Sequence, residues 1–292
     1  MNNLIDNIKL MYARGGMYLK LLYINVGVFI ALNFIQVVLR LFQANSLDLV
    51  DWFSFDSSFG SILYKPWSVI TYMFVHHDFW HLFSNMIVLF FIGGMFEQLL
   101  GSKKVLSTYI IGGLAGAGLY ILTQNLFPLF ISGGQSTLIG ASAATMALFV
   151  GLAAYRPHFQ VALFGVFQVQ LYIIAVIYVL FDVLKLGSGD GIAHFAHLGG
   201  AIWGYYFGIN MQKGKNVDNW FNLNFEKVKS IFKRKKKSKM NVSYRKTPPR
   251  DDVEYNAQKL SRQQKLDAIL DKIKVGGYES LTKKEKDFLA NF

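Results

Sequence analysis

The 292-residue chain predicts an all-α polytopic membrane protein, a bundle of six transmembrane helices followed by a basic cytoplasmic tail. Three observations carry this fold class. Hydrophobic residues make up 53% of the chain and charged residues only 16%, where a soluble domain carries about 25% charged. The charge is unevenly placed: Met1–Met211 holds 9 Lys/Arg and 8 Asp/Glu, whereas Gln212–Phe292 holds 21 and 10. The nearly uncharged part also breaks into apolar stretches long enough to cross a bilayer core of about 30 Å. An ordinary soluble globule and a disordered chain are thereby excluded. With no cysteine in the chain, so are a disulfide-stapled secreted domain and thiol catalysis.

The spans follow in order. The first, Leu19–Phe42, is too long for a signal peptide and lacks a small-residue cleavage site. The second runs from Trp80 to Leu100 and the third from Val105 to Gln124. The fourth, Leu138–Ala154, has 17 residues, or ~25 Å of helix at 1.5 Å per residue. It is short for a full crossing, so its start can lie below the membrane surface, reached through the uncharged loop Ile131–Ser136. Irregular backbone at such depth needs protein or a water-filled cavity around it. The fifth span runs from Val166 to Leu184 and the sixth from Ala193 to Met211.

Lys and Arg near span ends stay on the cytoplasmic side. Lys9, Arg14 and Lys20 precede the first span, Lys103 and Lys104 separate the second from the third, and Arg156 separates the fourth from the fifth. The opposite side carries Asp48, Asp51, Asp56 and Asp78 against Lys65, then the uncharged 125–140 loop, then Lys185 and Asp190. Both termini are therefore expected in the cytoplasm.

Any six-span transporter or channel fits so far. Polar residues inside spans discriminate, because they are expensive in lipid and usually functional. Three clusters lie toward the outer span ends. His81 and Asn85 stand four apart in the second span, on one helical face. Ser142 opens the fourth within Gly140-Ala141-Ser142-Ala143-Ala144. His197 lies one turn into the sixth, ahead of Gly200, Gly204 and Gly208. Taken singly, each has a structural reading. A membrane serine commonly bonds the carbonyl one turn back, a histidine commonly ties helices together, and GxxxG is a packing pattern. Taken together they supply a nucleophile, a base and oxyanion donors. Asp182 and Glu97 are read as lying outside the outer half of a span, so the chemistry expected is a Ser142–His197 dyad with no acid.

These residues resemble the rhomboid family of intramembrane serine proteases. The likeness spans Leu19–Met211: an HxxxN motif at His81–Asn85, GxS at Gly140–Ser142 and AHxxG at Ala196–Gly200, on the second, fourth and sixth spans. Glu97 stands where the family has an acid near the inner end of the second span. Gly200 and Gly204 stand where its sixth helix packs on the fourth, and His76 matches a structural histidine. The resemblance implies that Ser142 attacks the substrate carbonyl and His197 acts as base, then acid. The Ser142 N–H, His81 and Asn85 would form the oxyanion hole. Transmembrane proteins would be the substrates, cut in or near a span, with no metal or organic cofactor. His194 lacks the AHxxG context and is the weaker base. Two positions depart from the family pattern: Ala143 follows the serine in place of glycine, and Met146 stands in place of an aromatic that packs on the histidine. Methionine can fill that role. The alternatives are an inactive rhomboid-like protein that binds membrane clients, and a transporter. A transporter would show related halves, and the sequence contains no such repeat.

The organisation expected is a cytoplasmic N-terminus (1–18), a rhomboid-like protease core (19–211), a basic juxtamembrane segment and linker (212–255) and a small helical module (256–292). Trp52, Phe53, Phe55, Phe59, Tyr64 and Trp67 make the 43–79 loop an interfacial belt, and the resemblance implies a structured loop partly embedded in the outer leaflet. From 212 to 246 there are 12 Lys/Arg against 2 Asp/Glu, with Lys233-Arg234-Lys235-Lys236-Lys237 at the centre. Just inside a span this reads as contact with anionic lipids, worth about 1 kcal/mol per basic residue. Nucleic-acid binding is not expected. Pro248 and Pro249 mark a linker. Leu260, Leu266, Ile269, Leu270 and Ile273 predict a helix over 256–275, which Gly276-Gly277 ends. Thr282 and Glu285 form a capping box for a last short helix. This module resembles one attached to some bacterial rhomboids, which implies a multi-pass protein of a bacterial inner membrane. The sequence sets no oligomeric state.

Overall fold

The computed structural model describes positions 6 and 12 and residues 15–44, 48–134, 136–163, 166–189, 193–221 and 252–291. Lys9, Arg14, Asp190, the Lys233–Lys237 cluster and the Pro248–Pro249 linker of the sequence reading lie outside these residues. The chain divides into two units, Met1–Lys233 and Arg234–Phe292.

Among the described residues the first unit holds six apolar helices of 14 residues or more: α1 (Met17–Leu41), α2 (Phe79–Leu100), α3 (Ser102–Leu126), α4 (Ser142–Tyr155), α5 (Leu171–Leu184) and α6 (His194–Gln212). By length and composition α1, α2 and α3 can each cross a membrane alone. Helices α4 and α5 have 14 residues each, about 21 Å. Burial decides the arrangement. Every residue of α4 from Ala143 to Ala153 is buried, and α3 and α6 pack on it through glycine. Helix α5 buries only Leu171, Ala175 and Asp182. Beside it lies an apolar groove of about 1020 Å³ lined by Val150, Ala153, Ala175, Val179, Leu198 and Ala201 among others.

Two of the expected spans start later than their apolar runs. The fifth begins at Leu171 rather than Val166, because Phe167–Gln170 (β4) pairs antiparallel with Gln160–Leu163 (β3), Val161 opposite Val169. The alternation Phe167-Gln168-Val169-Gln170 is a strand period inside an apolar stretch. The fourth begins at Ser142 rather than Leu138, because Thr137–Leu138 (β2) pairs with Phe55–Asp56 (β1).

The loop between α1 and α2 is structured and reaches the site. It contains β1, short helical turns at Leu49–Phe53, Ser61–Tyr64 and Ser68–Thr71, and a 3-10 turn at Tyr72–Phe74. Lys65, buried at 7% exposure, lies 3.3 Å from carboxylates of both Asp51 and Asp56. Burial disfavours its charge, but the two carboxylates outweigh that and hold the ammonium above its usual range. The Tyr72 hydroxyl donates to the Gly113 carbonyl at 2.6 Å, and the Tyr109 hydroxyl donates to that of Met73 at 3.0 Å. These bonds fix the loop to α3. At the other membrane face, Glu97 accepts the backbone N–H groups of Met17 and Tyr18 at 2.9 and 3.0 Å. The α2 carboxylate thus caps the start of α1, where an acid favours the helix dipole. Gly16 permits the approach, since a Cβ there would lie 2.5 Å from the carboxylate.

In the second unit α7 (Asp252–Gly276) ends at Gly277, which takes φ 73°. Helix α8 (Lys283–Ala290) starts with the capping box expected at Thr282 and Glu285. Lys272, followed by the Thr282 N–H and hydroxyl, holds the Glu285 carboxyl at about 2.

Candidate active site

The fourth helix opens on a turn that three elements pin in place. Gly140 takes φ +109°, a conformation L side chains rarely adopt, and its N–H donates to the Tyr72 carbonyl at 2.9 Å. The Ala141 N–H donates to His76 Nε2 at 3.4 Å. His76 is 2% exposed; burial, aided by neighbouring His81, pushes its imidazole down to about 4, so at neutral pH it accepts this bond as an uncharged ring. A Cβ on Gly140 would lie 2.5 Å from His81 Nε2, so the bare glycine is what lets the His81 ring close over the turn. Ser142 is the first residue of α4 and is half-buried. Its carbonyl accepts the Thr145 hydroxyl at 3.0 Å, and its own hydroxyl has no hydrogen-bond partner among the described residues. No side chain caps the helix, which leaves its first N–H groups directed at whatever occupies the space above.

Helix α6, which carries His197, packs on α4 by backbone contact. A Cβ on Gly200 would lie 2.0 Å from the Ala143 carbonyl oxygen, one on Gly204 2.4 Å from that of Ala147, and one on Gly208 2.4 Å from that of Gly151. Helix α3 joins through Gly116, whose Cβ would meet the Ala143 methyl at 2.6 Å and the Ala196 carbonyl at 2.8 Å. Ala143 and Ala196 each adjoin a candidate, Ser142 and His197. The small residues of three helices therefore converge next to the two side chains. His197 is 7% exposed, and its ring meets Tyr178 of α5 edge-on, with centroids 6.4 Å apart.

The expectation that no acid accompanies this pair is overturned by the fifth helix. His197 Nδ1 lies 2.9 Å from Asp182 Oδ1, and His194 Nδ1 lies 2.6 Å from the same oxygen. Asp182 is 3% exposed. His194 and His197 are three apart and share a face of α6, so one carboxylate reaches both. The signal was present in the charge pattern: with Arg156 expected inside and Lys185 outside, α5 would run outward, and Asp182 lies in its last turn.

Toward α2, Asn85 is 6% exposed, and its amide donates to the His81 carbonyl at 2.8 Å. The Asp78 carboxylate accepts the His81 N–H at 3.0 Å and caps α2. His77 and Asp78 stand exposed beside it.

A family model for the rhomboid domain matches residues 64–213, from the 43–79 loop to the end of α6. The chain belongs to the rhomboid family. It is accordingly a multi-pass membrane protein built as a helical bundle. A second family model, for a family of unknown function (DUF6576), matches residues 251–292. Among curated rhomboids, the mitochondrial Rhomboid protein 1 of Saccharomyces cerevisiae is 30% identical over 152 residues, which are 50% of this chain and 42% of that one. The mitochondrial RHOMBOID-like protein 12 of Arabidopsis thaliana is 27% identical over 158 residues, 51% of this chain and 47% of its own. Rhomboid-like protease 3 of Toxoplasma gondii is 27% identical over 167 residues, 56% of this chain and 58% of its own. The matched part of the chain spans about half the length of these relatives.

In this rhomboid Met146 is buried at 1% exposure in α4, and Tyr178 of α5 supplies an aromatic neighbour of His197. Asp182, His194 and His197 are also the cluster whose donor atoms could suit a metal, all within 4.8 Å of one another. Ligands around zinc sit about 2.0–2.2 Å from the ion, which spreads the donors farther apart than 2.6 and 2.9 Å. The spacing here is that of hydrogen bonds. Beside His194 lies a cleft of about 430 Å³, lined by Tyr120, Gln124, Ser136, Lys185 and His194 among others.

Proposed function

We propose that this rhomboid is an intramembrane serine endopeptidase that hydrolyses peptide bonds in or near transmembrane segments of other membrane proteins. The observation that carries the reading is the seating of Gly200 against Ala143, which supports a close approach of the helix that begins at Ser142 to the helix that carries His197. In this reading His197 Nε2 takes the Ser142 proton as Oγ bonds to the substrate carbonyl carbon, and the carbonyl π electrons move onto oxygen. The uncapped Ser142 N–H, His81 and Asn85 receive that oxyanion; an amide nitrogen carries two protons, and Asn85 commits one to the His81 carbonyl. His197 then protonates the leaving nitrogen as the C–N bond breaks. Water enters through the outer cleft and repeats the sequence on the acyl-enzyme.

The loop charges support an orientation with both termini cytoplasmic. For a bacterial chain this means the inner membrane, with anionic lipids against the basic tail. The decisive experiment follows cleavage of a reporter transmembrane protein by the purified chain in liposomes, alongside labelling of Ser142 by a fluorophosphonate. Ser142→Ala and His197→Ala should each abolish cutting; activity surviving in either variant sinks the assignment. A second reading is a client-binding rhomboid that does not cut. The absence of a hydrogen-bond partner for the Ser142 hydroxyl among the described residues favours it, and client capture without turnover or labelling would select it.

A further inference from the structure

We propose that Asp182 is a positioning residue for His197, turning the expected pair into a three-membered Ser142–His197–Asp182 chain with its acid on a third helix. The inference rests on the protease reading above. An ionised carboxylate oxygen only accepts hydrogen bonds, so His197 donates from Nδ1 to Asp182 Oδ1 at 2.9 Å. A neutral imidazole carries one ring proton. Placing it on Nδ1 leaves Nε2 bare, and Nε2 is the atom that must take the serine proton. The carboxylate also steadies the imidazolium that forms when the proton arrives. It takes no proton itself: the Ser142 proton travels to Nε2 and on to the leaving nitrogen, and the Asp182 bond persists throughout.

Burial makes the arrangement rigid. Asp182 is 3% exposed and is the polar residue among the three that α5 buries. Its other oxygen, Oδ2, is buried with no hydrogen-bond partner among the described residues, so the carboxylate is aimed through Oδ1 alone. His194 holds that same oxygen at 2.6 Å from the cleft side. The groups recorded against His197 are Asp182 and Tyr178 of α5, His194 of α6 and His81 of α2. Of these only Asp182 can accept a proton-bearing Nδ1 as a carboxylate.

The test compares Asp182→Asn, Asp182→Glu and His194→Gln with the wild type in full-length protein reconstituted in liposomes, reading kcat and KM on the reporter substrate and thermal stability in detergent. Asparagine can offer Nδ1 an N–H and favour the wrong tautomer, so kcat should fall at least about 100-fold with KM changed less than about threefold. Glutamate, which restores the charge, should recover at least tenfold of that loss. His194→Gln should lose less than tenfold, because His197 keeps its acceptor. If Asp182→Asn retains wild-type kcat, or if His194→Gln loses as much as Asp182→Asn, the carboxylate is only a brace between α5 and α6 and the proposal is overturned. Unfolding with Asn and Glu alike has the same meaning. A wild type that cuts no faster than Ser142→Ala refutes the protease reading instead, whatever residue 182 does.

Discussion

Gly200 determines how near the helix of Ser142 comes to the helix of His197. A Cβ there would sit 2.0 Å from a backbone oxygen, which no rotamer change relieves. Gly200→Ala is expected to part α4 from α6, lowering stability by about 1–3 kcal/mol and cleavage at least tenfold. Gly118→Ala in α3, whose Cβ would meet nothing within 4 Å, should leave thermal stability and turnover within error. Thermal melts and kinetics of the pair measure the difference. At this scale the sequence was most legible where polar residues broke apolar runs. Ser142, His197, His81 and Asn85 stand out because lipid penalises them. Asp182 was equally visible in its span, but its partners lie 12 and 15 residues away on another helix. No spacing rule joins residues across two helices, and only the direction of α5, read from Arg156 and Lys185, ties them together.

Among the elements, the 43–79 loop has an integrity tied to pH just below neutrality. His76 stays uncharged in the fold down to about pH 4, whereas an unfolded histidine protonates near 6.5. Between those values the unfolded chain binds the extra proton, so the contribution of His76 is complete above about pH 6.5 and fades as pH falls toward 4. The melting temperature in detergent should drop across that window, and His76→Gln should flatten the slope. A slope unchanged by the substitution would refute the assignment. Elements were read with uneven success, and chemistry explains the pattern. Long runs such as Met17–Leu41 have one reading in lipid. Val166–Gln170 has two, since a short apolar run fits a strand or a helix. The hairpin partner that decides it, Gln160–Leu163, precedes the run in a segment with no periodic signal of its own. The loop pairing of Phe55 with Leu138 joins residues far apart in sequence, and nothing local announces it.

For the whole molecule, the loop charges predict which side faces out, and the cysteine-free sequence makes that measurable. Single cysteines at Ser132→Cys and Ser188→Cys should react with a membrane-impermeant maleimide in intact cells. Lys103→Cys and Lys213→Cys should react only after permeabilisation, and the reverse pattern would invert the topology. Helix α4 gives the orientation its significance. Its positions 143 to 153 are all enclosed by neighbouring helices, so Ser142 tops a shaft sealed for three turns below it. On the protease reading, solvent and severed peptide ends would have to share the side of the serine away from that shaft, and a plug there would halt traffic without touching the serine.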